Sequence, residues 1–243
     1  MNWELYFEEF LAVEREYGSE RDAQYWKLVD ALCIKVAALL ANAAPDDISW
    51  FVEAMGYSRK GEFAIQVLEH TSGLPVQFFD PLLRAAVYEI DPSLNRYFIA
   101  PCIKSFGARV VYEALLRYVE TGTNFEKAGA INGLYWATVL PQGAAASNAE
   151  AQAVFASMAD LRARLSNLLL KEFVSNENVD VRRSIIAMLS PNPAAYATDV
   201  QALLPAAIAI AYNHPDKYIR DRAKVQFGNS KLYPALPHRK PSS

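Results

Sequence analysis

Two stretches of this chain repeat one another at a constant offset. Asn178-Val-Asp-Val-Arg182-Arg-Ser-Ile185-Ile-Ala-Met-Leu189 can be laid on Asp216-Lys-Tyr-Ile-Arg220-Asp-Arg-Ala223-Lys-Val-Gln-Phe227 at a spacing of 38 residues. Each copy opens on a residue able to cap a helix. A β-branched residue and an arginine follow, then apolar positions three and seven residues beyond the arginine. Thr123-Asn-Phe-Glu-Lys127-Ala-Gly-Ala130-Ile-Asn-Gly-Leu134 fits the same frame, 55 residues before the Arg182 copy. A helical pair recurring at about this period cannot bury both its faces alone, so its copies must stack on one another.

The rest of the chain carries helical periodicity throughout. Leu5, Phe7, Phe10, Leu11 and Val13 mark a first helix closed by Gly18, and Ser19 with Asp22 reads as the cap of a second helix running to Ala44. Pro45-Asp46-Asp47 starts a third that Gly56 ends. Further helices are predicted over 58–70, 75–89, 93–106, 108–120 and 123–138. A break is expected at Pro141-Gln142-Gly143 through Asn148, then one long helix over 149–174 and three more over 179–189, 197–212 and 216–227. Alternating strand patterns with hairpin turns are missing, so the expected class is all-α.

The segments Asp180-Val181-Arg182 and Ile219-Arg220-Asp221-Arg222-Ala223 resemble the second helix of HEAT repeats, most clearly over 123–228. The resemblance implies an α-α superhelical solenoid of helical pairs. It places one helical-repeat domain over 1–230, with less regular helices over 1–90 and HEAT-like pairs over 91–230, followed by a Pro-rich tail at 231–243. Residues 1–90 could also form a helical bundle of their own. In HEAT-like arrays, basic residues at the position of Lys127, Arg182 and Arg220 form hydrogen bonds with acids or carbonyls of the adjacent repeat. Second helices line the concave face, which implies binding residues at Phe125, Arg183, Tyr218 and Arg222. Tyr and Arg are residue types that dominate interface energetics.

Chemistry is otherwise sparse. His70, His214 and His238 are far apart in sequence, and neither zinc-ligand spacing, a phosphate loop nor a nucleophile triad is present. No catalytic residue, metal or cofactor is therefore assigned. Gly129 and Gly133, four residues apart in one helix, read as a site of close helix packing. Cys33 and Cys102 sit among apolar neighbours and read as buried free thiols. The 243 residues are 52% apolar with a net charge of -3, which argues against a dedicated nucleic-acid binder. Charge is uneven, however. Residues 1–22 carry seven acids against two arginines, whereas 214–243 carry seven basic residues against two acids. The apolar stretches are too short to span a bilayer and the start lacks the pattern of a signal peptide, so a cytoplasmic protein is expected. The reading that follows is a non-catalytic adaptor, scaffold or immunity-type protein that grips another protein. The alternative is a HEAT-like DNA glycosylase for alkylated bases, suggested by the basic cluster Arg182, Arg183, Lys217, Arg220, Arg222 and Lys224. A bilin-lyase-like HEAT protein is a third reading, with no feature specific to a tetrapyrrole.

Overall fold

A computed structural model describes residues 1–40, 43–54, 58–71, 73–89, 91–146 and 148–228. Among these residues every regular element is a helix, so the all-α expectation holds. They form two compact units that meet between Val111 and Tyr112. The second helix, expected to reach Ala44, does not: Ala43 and Ala44 are not helical. The helix end predicted at Gly56 and the tail at 231–243, with Lys231, His238, Arg239 and Lys240, lie outside the described residues.

The first unit contains α1 (Trp3–Tyr17), α2 (Ala23–Leu40), α3 (Pro45–Ala54), α4 (Ser58–Glu69), α5 (Phe79–Tyr88) and α6 (Arg96–Phe106), with a 3-10 turn at Val76–Phe78 before α5. Gly18 closes α1 as expected: its φ of 56° is a left-handed conformation that suits glycine, and its N–H donates to Glu14 O at 2.9 Å. The cap of α2 is Asp22 rather than Ser19, because Asp22 Oδ1 accepts from the N–H groups of Gln24 and Tyr25, both at 2.9 Å. The core here is aromatic. Phe10 and Phe63 lie 5.3 Å apart between ring centroids and Trp3 meets Phe51 edge-on at 5.1 Å. The acids of α1 are engaged locally: Glu14 takes Arg21 at 2.7 Å and Arg59 at 3.0 Å, and Glu4 takes Lys60 at 2.9 Å. Cys33 and Cys102 are buried free thiols, as expected.

The boundary between the units falls inside α7 (Ala108–Thr121). The second unit continues with α8 (Asn124–Ala145), α9 (Ala149–Ser157), α10 (Ala159–Ser175), α11 (Val179–Ile186), α12 (Thr198–Gln201), α13 (Leu204–Asn213) and α14 (Lys217–Phe227), with a 3-10 turn at Pro193–Ala195. Helix α8 packs on α11 and α11 on α14, while α10 packs on α13; α10 also meets α11, and α13 meets α14.

Three of the predicted boundaries are corrected. Helix α8 runs through Pro141 to Ala145 instead of breaking there. Pro141 is buried and stands one turn after the small, buried Ala137. The long helix expected over 149–174 is two helices. Buried Met158 leaves helical geometry at φ -96°, ψ 11°, and Arg162 bonds the Phe155 carbonyl and stacks 3.8 Å from that ring. The helix expected over 197–212 is interrupted after Gln201, the residue whose carbonyl the Pro205 ring would strike if the helix continued.

Candidate functional site

The site is built from the three helices that carry the repeat frame. All three first positions are helix caps. Thr123 forms a reciprocal capping box with Glu126, Asn178 Oδ1 accepts from Asp180 and Val181 N–H at 3.1 Å each, and Asp216 Oδ1 accepts from Ile219 N–H at 3.1 Å. The apolar positions are core positions: Ala130 and Leu134, Ile185 and Leu189, and Ala223 and Phe227 are all buried. With caps and core fixed, residues at equal distance from the cap share an equivalent place on each helix.

The helices are also tied at their ends. Asn176 Nδ2 donates to Asn124 Oδ1 at 2.9 Å, joining the starts of α8 and α11. Arg183 donates to Asp216 Oδ2 at 2.6 Å, joining α11 to the cap of α14, and Gln226 Nε2 donates to the Leu189 carbonyl at the other end. Helices α11 and α14 therefore run parallel. The second residue after each cap is exposed: Phe125 at 54%, Tyr218 at 52% and the Asp180 side chain at 68%. Phe125, Asp180 and Tyr218 thus hold one register on successive helices of the row.

The predicted binding residues fare differently from one another. Phe125 and Tyr218 occupy that exposed register. Arg183 is half-exposed but works as a strut, paired with Asp216 at 2.6 Å and with Asp180 at 3.6 Å. The hydrogen bond from Arg183, together with the backbone N–H of Ile219, holds the Asp216 carboxyl below the usual carboxylate range. Arg222 is half-buried, one helical turn beyond Tyr218, with its Nε buried and lacking an acceptor among the described residues.

The equivalent positions Lys127, Arg182 and Arg220 carry cations with structural work. Lys127 Nζ reaches Glu172 Oε1 on α10 at 2.8 Å. Arg182 Nε donates to the Phe173 carbonyl at 3.1 Å, and Arg220 donates to the His214 and Pro215 carbonyls at 2.6 Å. These two satisfy carbonyls at the end of the preceding helix, where the helix dipole also favours a cation, rather than groups of an adjacent repeat. Lys217 and Lys224 both bind Asp221, which holds that carboxyl down at about 2. The basic cluster of the last two copies is thus engaged locally at Arg182, Arg183, Lys217, Arg220 and Lys224.

One feature escaped the sequence reading although its signal was present. Asn176 Oδ1 accepts from Asn178 N–H at 3.0 Å, and His214 Nδ1 accepts from Asp216 N–H at 3.0 Å. Asn176 and His214 stand 38 residues apart, so the repeat begins two residues before its caps, with a side chain that shapes the turn between paired helices. Burial and the nearby Arg182, Arg220 and Arg183 guanidiniums, opposed by Asp216, hold His214 below its ordinary value and neutral. Among the described residues no group of His, Cys, Asp and Glu is placed to hold a metal, and no helix is long and apolar enough to cross a membrane. Comparison with family models, curated proteins and solved structures yields no match.

Proposed function

We propose that this chain is a non-catalytic protein-binding module, with α8, α11 and α14 as the second helices of a HEAT-like solenoid whose concave face grips a partner protein. The observation that carries this reading is the exposed register Phe125, Asp180 and Tyr218 on three successive helices, each capped by a side chain at the same position of the frame. Two aromatics held outward on a rigid row are suited to fill pockets on a partner at small entropic cost. The stacking of α8 on α11 on α14, and of α10 on α13, supports the solenoid. At the eighth residue after each cap, Ile131 and Ile186 are buried and Lys224 is exposed.

The test is affinity capture from native lysate with the wild-type chain and with a Phe125→Ala, Tyr218→Ala double variant, identifying both protein and nucleic acid. The expected result is one stoichiometric protein retained by the wild type and lost by the variant, with helix content and melting temperature unchanged. Arg183→Glu is the poorer probe because it also breaks the tie to the α14 cap. Nucleic acid released by salt, with no protein partner, would overturn the reading in favour of the DNA-acting alternative.

A further inference from the structure

The turn between α13 and α14 is closed by a side chain that can take up a proton. His214 is 6% exposed, and its Nδ1 accepts from the Asp216 N–H at 3.0 Å. A backbone N–H can only donate, so Nδ1 carries no proton and the neutral ring holds its hydrogen on Nε2. Nδ1 is then the one ring nitrogen left to receive a proton in acid. An imidazolium would set an Nδ1–H against the Asp216 N–H, donor against donor. The turn bond and the charged ring exclude each other.

Asp216 extends the consequence beyond one bond. Its Oδ1 caps α14 through the Ile219 N–H at 3.1 Å, and its Oδ2 takes Arg183 of α11 at 2.6 Å. The residue that His214 positions therefore carries both the cap of α14 and its tie to α11. The charged groups facing the ring are Arg182 and Arg183 from α11 and Asp216 and Arg220 from the start of α14, and α13 carries no charged residue. Three guanidiniums oppose an imidazolium and one carboxylate favours it, and Arg183 already pairs with that carboxylate. Arg220 is fixed at the turn by its hydrogen bonds to the His214 and Pro215 carbonyls, both at 2.6 Å. The turn before α11 is built differently: Asn176 accepts from the Asn178 N–H at 3.0 Å through an amide that does not titrate. Helix α11 lies between α8 and α14 and also meets α10, whereas α14 packs on α11 and α13.

We propose that His214 is an acid-released latch: a proton on Nδ1 opens the α13–α14 turn, undoes the Asp216 cap and the Arg183 tie, and frees α14 from α11 while α8 and α10 stay folded. Tyr218 stands two residues past that cap, so the grip on a partner loosens in acid. This consequence rests on Tyr218 being a binding residue, as proposed above, whereas the latch is a property of the chain alone and is tested without a partner.

The experiment is amide hydrogen exchange of the full chain at about pH 7.5 and about pH 5.5, expressed as protection so that the intrinsic pH dependence of exchange cancels. The 15N shifts of the His214 imidazole are read on the same protein. At about pH 5.5 a released histidine is mostly protonated, while Asp216, held below the usual carboxylate range, stays ionised. Opening that returns His214 to its ordinary value of about 6.5 should lower protection over Ile219–Phe227 by about 3- to 10-fold between the two conditions, with protection in α8 and α10 unchanged. His214→Asn keeps an acceptor at the turn and should hold α14 protection constant across the same range. An equal loss of protection in α8, α10 and α14 would overturn the latch, because the chain would then open as a whole. So would an acid-induced loss in α14 that persists in His214→Asn. Should that variant fail to fold, the wild type decides by itself: an imidazole protonated on Nδ1 at about pH 5.5 with α14 fully protected would refute the proposal.

Discussion

Ile186 and Lys224 occupy the same position of the repeat frame, eight residues after the caps Asn178 and Asp216, yet their environments are opposite. Ile186 is fully buried on α11, which has α8 on one side and α14 on the other, whereas the Lys224 side chain on α14 is 57% exposed. Truncating Ile186 to alanine removes three carbons from a packed interior. The loss combines lost transfer energy with the cavity left behind, about 2–5 kcal/mol for substitutions of this type. With Val181, Ile185 and Leu189 also buried around it, the site has few mobile neighbours to collapse inward, which favours the middle or upper part of that range. At roughly 2–4 °C per kcal/mol for chains of this size, the melting temperature should fall by roughly 4–20 °C. Lys224→Ala removes only solvated methylenes and one of two partners of Asp221, and should melt with the wild type. Urea unfolding followed by far-UV circular dichroism on both variants makes the comparison. An Ile186→Ala cost below about 0.5 kcal/mol, or a Lys224→Ala cost of similar size to that of Ile186→Ala, would show that the three helices do not share one frame.

Two further outcomes follow from local chemistry. His214 is held neutral in the folded chain, below its unfolded value of about 6.5. The unfolded chain therefore binds more protons as pH falls from about 6.5 towards the folded value, and stability should decline through that window and level off beneath it. His214→Asn copies Asn176 and keeps an acceptor for the Asp216 N–H. It should remove this part of the pH dependence while leaving stability at pH 8 near that of the wild type, as read by urea titrations between pH 5 and 8. Burial pushes both the Cys33 and Cys102 thiols up to about 12. A thiol-directed disulfide reagent at pH 8 should leave the native chain unmodified and titrate both cysteines in denaturant, and rapid native modification would contradict their burial.

What could be read from the sequence is what the backbone and the core impose together. A cap side chain must bond its own helix two or three residues on, and the buried face must recur every three to four residues, so Thr123, Asn178 and Asp216 and their apolar partners declared the frame directly. What could not be read depends on contacts between elements. The second oxygen of Asp216 was free by its chemistry to bind anything, and only packing of α11 beside α14 delivers Arg183 to it, turning an expected binding residue into a strut. The hydrogen bond from Trp50 to Glu4 in the first unit is of the same kind, since 46 residues separate the two and no periodicity links them.

Proline shows where the division lies. Pro141 and Pro205 present one local chemistry, a missing N–H and a ring that crowds the carbonyl four residues back, here those of Ala137 and Gln201. The chain stops a helix at Gln201 and continues one through Ala137. After Gln201 the chain turns and a new helix opens at Leu204 with Pro205 in its first turn, where the missing N–H has no partner to lose. Past Ala137, α8 continues to Ala145 with Pro141 buried within it. Local sequence states the cost of a proline, and its place in the fold, buried within α8 or in the first turn of α13, decides whether a helix runs through it or starts at it.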